Sequence, residues 1–179
     1  LRHSSAASDV YKRQPQEMAY DILLENHGRE FIYAPLVNYA DYTMDACAEM
    51  LDDPYSIMGL GDGGAHVGFI LDAGYPTWLI KYWNLTQKRY SIEETVRRLT
   101  SDTAKAAGLR DRGRIAKGLK ADLNVIDWSS VRAGDPYLIS DLPAGGSRLM
   151  QEVFGYKATV LSGEVTYRDG VCLLYTSPS

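Results

Sequence analysis

The hydrophobic pattern of this chain changes period once, near residue 110, and that change limits the folds open to it. Before it, helical periodicity alternates with short apolar runs. Residues 16–25 place Met18, Ala19, Ile22 and Leu23 on one helical face, and Gly28 is suited to end that helix. Residues 31–37 (FIYAPLV) read as a strand in which Pro35 marks an edge, a bulge or the strand end. Asp41 or Thr43 caps a second helix, with Met44, Cys47, Ala48 and Leu51 on one face, and Asp53-Pro54 ends it. Residues 56–60 are the next strand. This α-β-α-β order with short connections predicts parallel strands joined by crossover helices. Pro76 opens a further helix carrying Trp78, Leu79, Tyr82 and Trp83, which read as packing residues rather than a substrate cage. Ser91-Ile92-Glu93-Glu94 fits a capping box for the helix after it.

From Arg112 onward no long amphipathic helix recurs. Residues 121–127 alternate as a strand does, and residues 158–161 and 164–167 flank Ser162-Gly163, a two-residue hairpin signal. The Gly-, Pro- and Asp-rich stretch 132–146 is expected to be a surface excursion. The chain therefore divides into an α/β part, residues 15–108, and a small β part, residues 109–171.

The run Ile57-Met58-Gly59-Leu60-Gly61-Asp62-Gly63-Gly64-Ala65-His66 ends a strand at a lone carboxylate set among four glycines. Glycine permits close backbone approach of a ligand, and an acid at the C-terminal end of a core strand is where barrel enzymes keep catalytic groups. The alternative is a glycine-rich turn in which Asp62 bonds its own backbone.

Residues 1–14 have no periodicity or apolar face, and with 172–179 they resemble translated adapter sequence, so they are left out of the fold reading. A natural disordered arm is the alternative for residues 1–14. The head carries Arg2, Lys12, Arg13 and Asp9, so without it the net charge moves from −4 to −6. That balance, with no basic stripe, excludes a nucleic-acid partner. Of the histidines only His27 and His66 then remain, and Cys47 stands alone without a disulfide partner, in keeping with a reducing cytoplasm. No apolar run approaches the ~20 residues that span a bilayer, so no membrane partner is expected.

Three stretches carry a family resemblance: Gly61-Asp62-Gly63-Gly64-Ala65-His66, residues 91–109 (SIEETVRRLTSDTAKAAGL) and residues 111–122 (DRGRIAKGLKAD). They resemble the C-terminal third of metal-dependent amidohydrolases, and among these the family-3 branch that includes N-acyl-D-amino-acid deacylases. Residues 141–148 (DLPAGGSR) and 157–170 are similar to the same branch. The resemblance implies a fragment with an α/β fold: the last two βα units of a (β/α)8 TIM barrel, with residues 31–37 and 56–60 as strands seven and eight, plus part of a small β-sandwich. It implies a zinc enzyme, with one or two ions, that hydrolyses the amide of a small-molecule N-acyl amino acid.

On that resemblance Asp62 matches the strand-eight aspartate that approaches the metal and shuttles the proton. His66, Gly63, Gly64 and Asn38 are candidate substrate-binding residues at the same mouth, with Tyr39 beside Asn38; His66 has the second reading of bracing the loop. Arg148 either pairs with a substrate carboxylate or is structural, and His27 reads as a helix-end dipole partner. The family takes its other ligands from an H-x-H, a bridging acid, cysteine or modified lysine, and further histidines, none of which this chain contains. The fragment alone is therefore expected to be inactive. The rival readings are a cyclic amidase of the dihydroorotase or hydantoinase kind, and a metal-free scaffold or binding protein.

Overall fold

A computed structural model describes residues 13–34, 37–39, 41–59 and 66–174. The chain divides into two compact units between Met50 and Leu51. In the first, helix α1 (Pro15–Gly28) starts at a proline, with the Gln14 N–H donating to the Glu17 carboxylate at 3.3 Å. Helical geometry lapses at Glu25, and Asn26, His27 and Gly28 all have positive φ, so Gly28 closes a short left-handed run. The apolar face of α1 stays open: Leu23 is 44% exposed and Leu24 54%. Helix α2 (Asp45–Asp52) buries Cys47 and Ala48, two of the four face residues the spacing predicts.

Residues 31–34 and 56–59 lie in no strand, which corrects the expectation of two barrel strands over these stretches. A strand has no hydrogen bonds of its own and needs a neighbour to exist. Neither stretch is hydrogen-bonded to a strand among the described residues, and Tyr33 and Ile57 remain exposed. The mixed α/β composition holds; the barrel part is not seen.

The second unit has a helical layer and two antiparallel sheets. Helix α3 (Tyr75–Trp78) has Pro76 in its first turn and continues as a π-helix over Leu79–Thr86, where Gln87 N donates to Tyr82 O at 2.8 Å. The wider turn sets Trp78 against both Tyr82 (4.7 Å, stacked) and Trp83 (5.9 Å, edge-on). Leu79, Ile80 and Trp83 are buried. Helix α4 (Ile92–Leu99) is capped by Ser91, whose hydroxyl accepts from Glu94 N at 3.2 Å. The reciprocal half of the expected box is replaced, because the Glu94 carboxylate turns to Arg98 at 3.0 Å. Helix α5 (Ser101–Ala106) follows.

The larger sheet runs β1 (Leu123–Ile126), β4 (Tyr156–Leu161), β5 (Glu164–Arg168), β6 (Val171–Cys172), all neighbours antiparallel. Ser162 (φ 52) and Gly163 (φ 89) make the β4–β5 hairpin with both residues left-handed, as the two-residue signal predicts. The smaller sheet pairs β2 (Arg132–Ile139) with β3 (Arg148–Phe154), so 132–139 is a strand and not an excursion. Its register shifts between Ala133 and Pro136, and a shift on an edge strand is a place where a proline fits a paired strand. Two polar links tie the helices to the rest of the unit, the first to Tyr90 and the short 3-10 turn at Trp128 and the second to β4. Asn84 donates to Tyr90 O and accepts from Trp128 Nε1, both at 2.7 Å, and the Thr77 and Tyr156 hydroxyls are 2.9 Å apart. Among the described residues no helix is long and apolar enough to cross a membrane.

The DRGRIAKGLKAD stretch joins α5 to β1. Arg112 bridges Asp111 (3.1 Å) and Asp122 (3.0 Å), and Lys120 Nζ reaches Asp111 at 2.9 Å. Asp122 in turn accepts from Ser162 N at 2.8 Å, tying the motif to the hairpin. Hydrogen bonds from Arg112 and then Lys120 hold the Asp111 carboxyl well below its ordinary value of 3.8. A carboxyl lowered on folding contributes stability above its unfolded value and loses it as the pH falls toward the folded one. Asp111→Asn should therefore cost stability at neutral pH, with the gap to wild type closing below about pH 4. Urea midpoints measured across that range check this; a gap independent of pH would refute it.

Candidate functional site

Asp62, Gly63 and Gly64 lie outside the described residues, so the site is built from its flanks. On the exit side, His66 takes positive φ (51°), and its carbonyl accepts from Phe69 N at 2.9 Å and Ile70 N at 3.0 Å. The imidazole is exposed and rests 5.2 Å from the Phe69 ring, centroid to centroid. The next residue is pinned, since Val67 O accepts from Leu149 N of β3 at 2.7 Å. Further on, a methyl group in place of the Gly74 hydrogen would stand 3.2 Å from Gln151 Oε1, also on β3. The segment leaving the glycine loop therefore lies along β3, a strand the sequence reading did not foresee.

That segment holds a carboxylate which sequence reasoning passed over. Asp72 Oδ1 is buried and has no hydrogen-bond partner among the described residues. Its signal was an acid inside the otherwise apolar run Phe69-Ile70-Leu71-Asp72-Ala73. Buried polar atoms are almost always paired, so Asp72 Oδ1 is an acceptor on this flank with an unused place for a hydrogen-bond donor.

Asn38 belongs to the first unit. Its backbone is left-handed (φ 63), and its carbonyl accepts the Cys47 thiol at 3.3 Å. Burial pushes the Cys47 pKa up, which keeps that thiol protonated and a donor. Tyr39 packs edge-on against Tyr42, 6.2 Å between centroids. His27 sits in left-handed backbone beyond the regular part of α1.

Arg148 has its structural reading in this geometry. Its guanidinium grips Asp141 through two bonds of 2.8 and 2.6 Å, and the pair lowers the Asp141 pKa. A bidentate Arg–carboxylate pair leaves little of the fork for a substrate.

No group of three or more His, Cys, Asp or Glu side chains stands together among the described residues. The whole sequence has three histidines, His3, His27 and His66. A catalytic zinc requires about three protein ligands besides water. The described residues therefore do not fit a metal site by themselves.

A protein-family model described as the amidohydrolase family matches residues 14–167. That range takes in the glycine loop, both flanks, the DRGRIAKGLKAD stretch and the strands as far as β5. No curated protein and no solved structure gives a significant match to the chain.

Proposed function

The chain belongs to the amidohydrolase family, and on that premise we propose that it is the Asp62-bearing part of a hydrolase that deacylates N-acyl-D-amino acids. The family assignment supports metal-dependent hydrolysis in general. The observation that carries the finer reading is the Gly61-Asp62-Gly63-Gly64-Ala65-His66 element inside the matched range. Amide hydrolysis needs one group to take a proton from the attacking water as the O–C bond forms. The same proton must reach the nitrogen as the C–N bond breaks, because an amide anion is a very poor leaving group. A carboxylate can do both in sequence, and Asp62 is the residue this chain supplies for it. His66, Gly63, Gly64 and Asn38 are proposed to contact the substrate. The cofactor proposed is zinc, one or two ions, with most of its ligands proposed to lie outside this chain.

The test is an assay with N-acetyl-D- and N-acetyl-L-amino acids in added zinc, run on the 179 residues alone and on the chain together with its upstream coding sequence. The reading expects no turnover by the 179 residues. It expects hydrolysis favouring the D-substrate when the upstream segment carries an H-x-H. Hydrolysis of cyclic ureides instead would favour the cyclic amidase.

A second reading, a metal-free scaffold, is favoured by the lack of a ligand cluster among the described residues. An upstream segment without ligating histidines, and no bound zinc by elemental analysis, would establish it over the enzyme.

A further inference from the structure

A groove of about 400 Å³ opens at the end of β3 remote from the glycine-loop flank. It is lined by Lys81, Ser129, Ser130, Arg132, Phe154 and Lys157, together with Val131 and Gly155. Leu149, which holds Val67, and Phe154, which borders the groove, are five residues apart on one strand, a span of roughly 17 Å at ~3.3 Å per residue. Three cationic residues line this groove and, among the described residues, no carboxylate does, in a chain whose net charge is −4.

The neighbouring acids are already engaged. The Asp127 carboxylate accepts from the Ser129 hydroxyl at 3.0 Å and from the Ser130 hydroxyl at 2.8 Å. Asp169 stands 3.9 Å from Lys157 Nζ, with both side chains exposed, a loose pair, and Asp127 also lies within Coulombic reach of Lys157. Arg132 lies with its guanidinium carbon 3.7 Å from the Phe154 ring centroid. Stacking occupies the face of the guanidinium and leaves its N–H rim outward, where a forked contact with an oxyanion is made. The two serine oxygens, having donated their protons to Asp127, retain lone pairs for a ligand hydroxyl or an ammonium.

We propose that this groove binds a phosphate-type oxyanion, held by Lys81, Arg132 and Lys157. Three cationic donors around one space match a doubly charged group with several acceptor oxygens better than a monocarboxylate. The space also exceeds one phosphate, leaving room for a small organic ester beside the serine oxygens.

Titration calorimetry of the full chain with inorganic phosphate, and separately with glycerol 3-phosphate, tests the site. Saturable one-to-one binding is expected, with amide shifts at Ser129, Ser130, Val131 and Gly155 in nitrogen-correlated NMR spectra. Lys81→Gln and Lys157→Gln should each weaken binding about tenfold, the loss expected for one charge-assisted hydrogen bond. Lys105→Gln, which removes the same charge outside the groove, should leave affinity unchanged. Tighter binding of glycerol 3-phosphate identifies an organic ester as the ligand, and equal binding identifies free phosphate. No saturable binding of either anion, or equal weakening by Lys105→Gln, overturns the proposal. Lys81 and Lys157 are exposed, and circular dichroism confirms that the variants fold.

Discussion

Asparagine at position 62 is expected to lower kcat of the metal-loaded enzyme containing this chain by about 10²–10⁴-fold, the range assigned to one positioned general acid–base group. The substitution keeps the size and one carbonyl oxygen of the side chain but removes its basicity. Water would then attack with no acceptor for its proton, and the departing nitrogen would leave without a donor. Metal content, read by elemental analysis, should change little, because Asp62 is proposed as one ligand among several. Steady-state kinetics on an N-acyl-D-amino acid, with KM and kcat separated, is the decisive measurement. A raised KM with normal kcat would make Asp62 a substrate contact, and near-normal turnover would remove it from the mechanism. The distinction matters because the family match establishes only hydrolysis in general, while the proton shuttle is the specific role this segment is proposed to bring.

Local signals in this chain translate into structure where a few neighbouring residues decide the outcome. Ser91 caps α4, Pro76 opens α3, and Ser162-Gly163 turns the hairpin, each by backbone geometry that depends on one or two residues. Signals that depend on a distant partner fare differently. Residues 31–34 and 56–59 have the apolar content of buried strands and pair with no strand among the described residues, since periodicity reports what a strand would bury and not what it would bond to. The reverse error occurs at β2, where Gly134-Asp135-Pro136 reads as a loop but sits at a register shift that spares the proline from donating. At the candidate site, Arg148 was legible as an alternative and proves to be held by Asp141. The orphaned oxygen of Asp72 was not legible, because burial of a single acid follows from how its segment docks on β3.

The DRGRIAKGLKAD stretch, which helped carry the resemblance, has a physical requirement that can be measured. Gly113 has φ +88, and a methyl group at that position would stand 2.6 Å from Ala104 Cβ and 3.1 Å from Thr100 O. The chain leaving α5 thus folds back directly against that helix, and only glycine combines the left-handed backbone with this approach. Gly113→Ala is expected to destabilise the chain by about 2–5 kcal/mol, combining a left-handed penalty of about 1–2 with overpacking of about 1–3. Against a typical total stability of about 5–15 kcal/mol, that is enough to lower the urea midpoint clearly. The clash and the backbone strain separate in a double-mutant cycle. Ala104→Gly removes the nearer obstacle, so Gly113→Ala should cost less in that background, by about 1 kcal/mol or more of coupling. The penalty left over belongs to the positive φ and to the Thr100 carbonyl, which Ala104→Gly does not touch. Costs that simply add would mean that the contact with Ala104 plays no part, leaving the backbone angle and the Thr100 carbonyl as the reasons for glycine at 113.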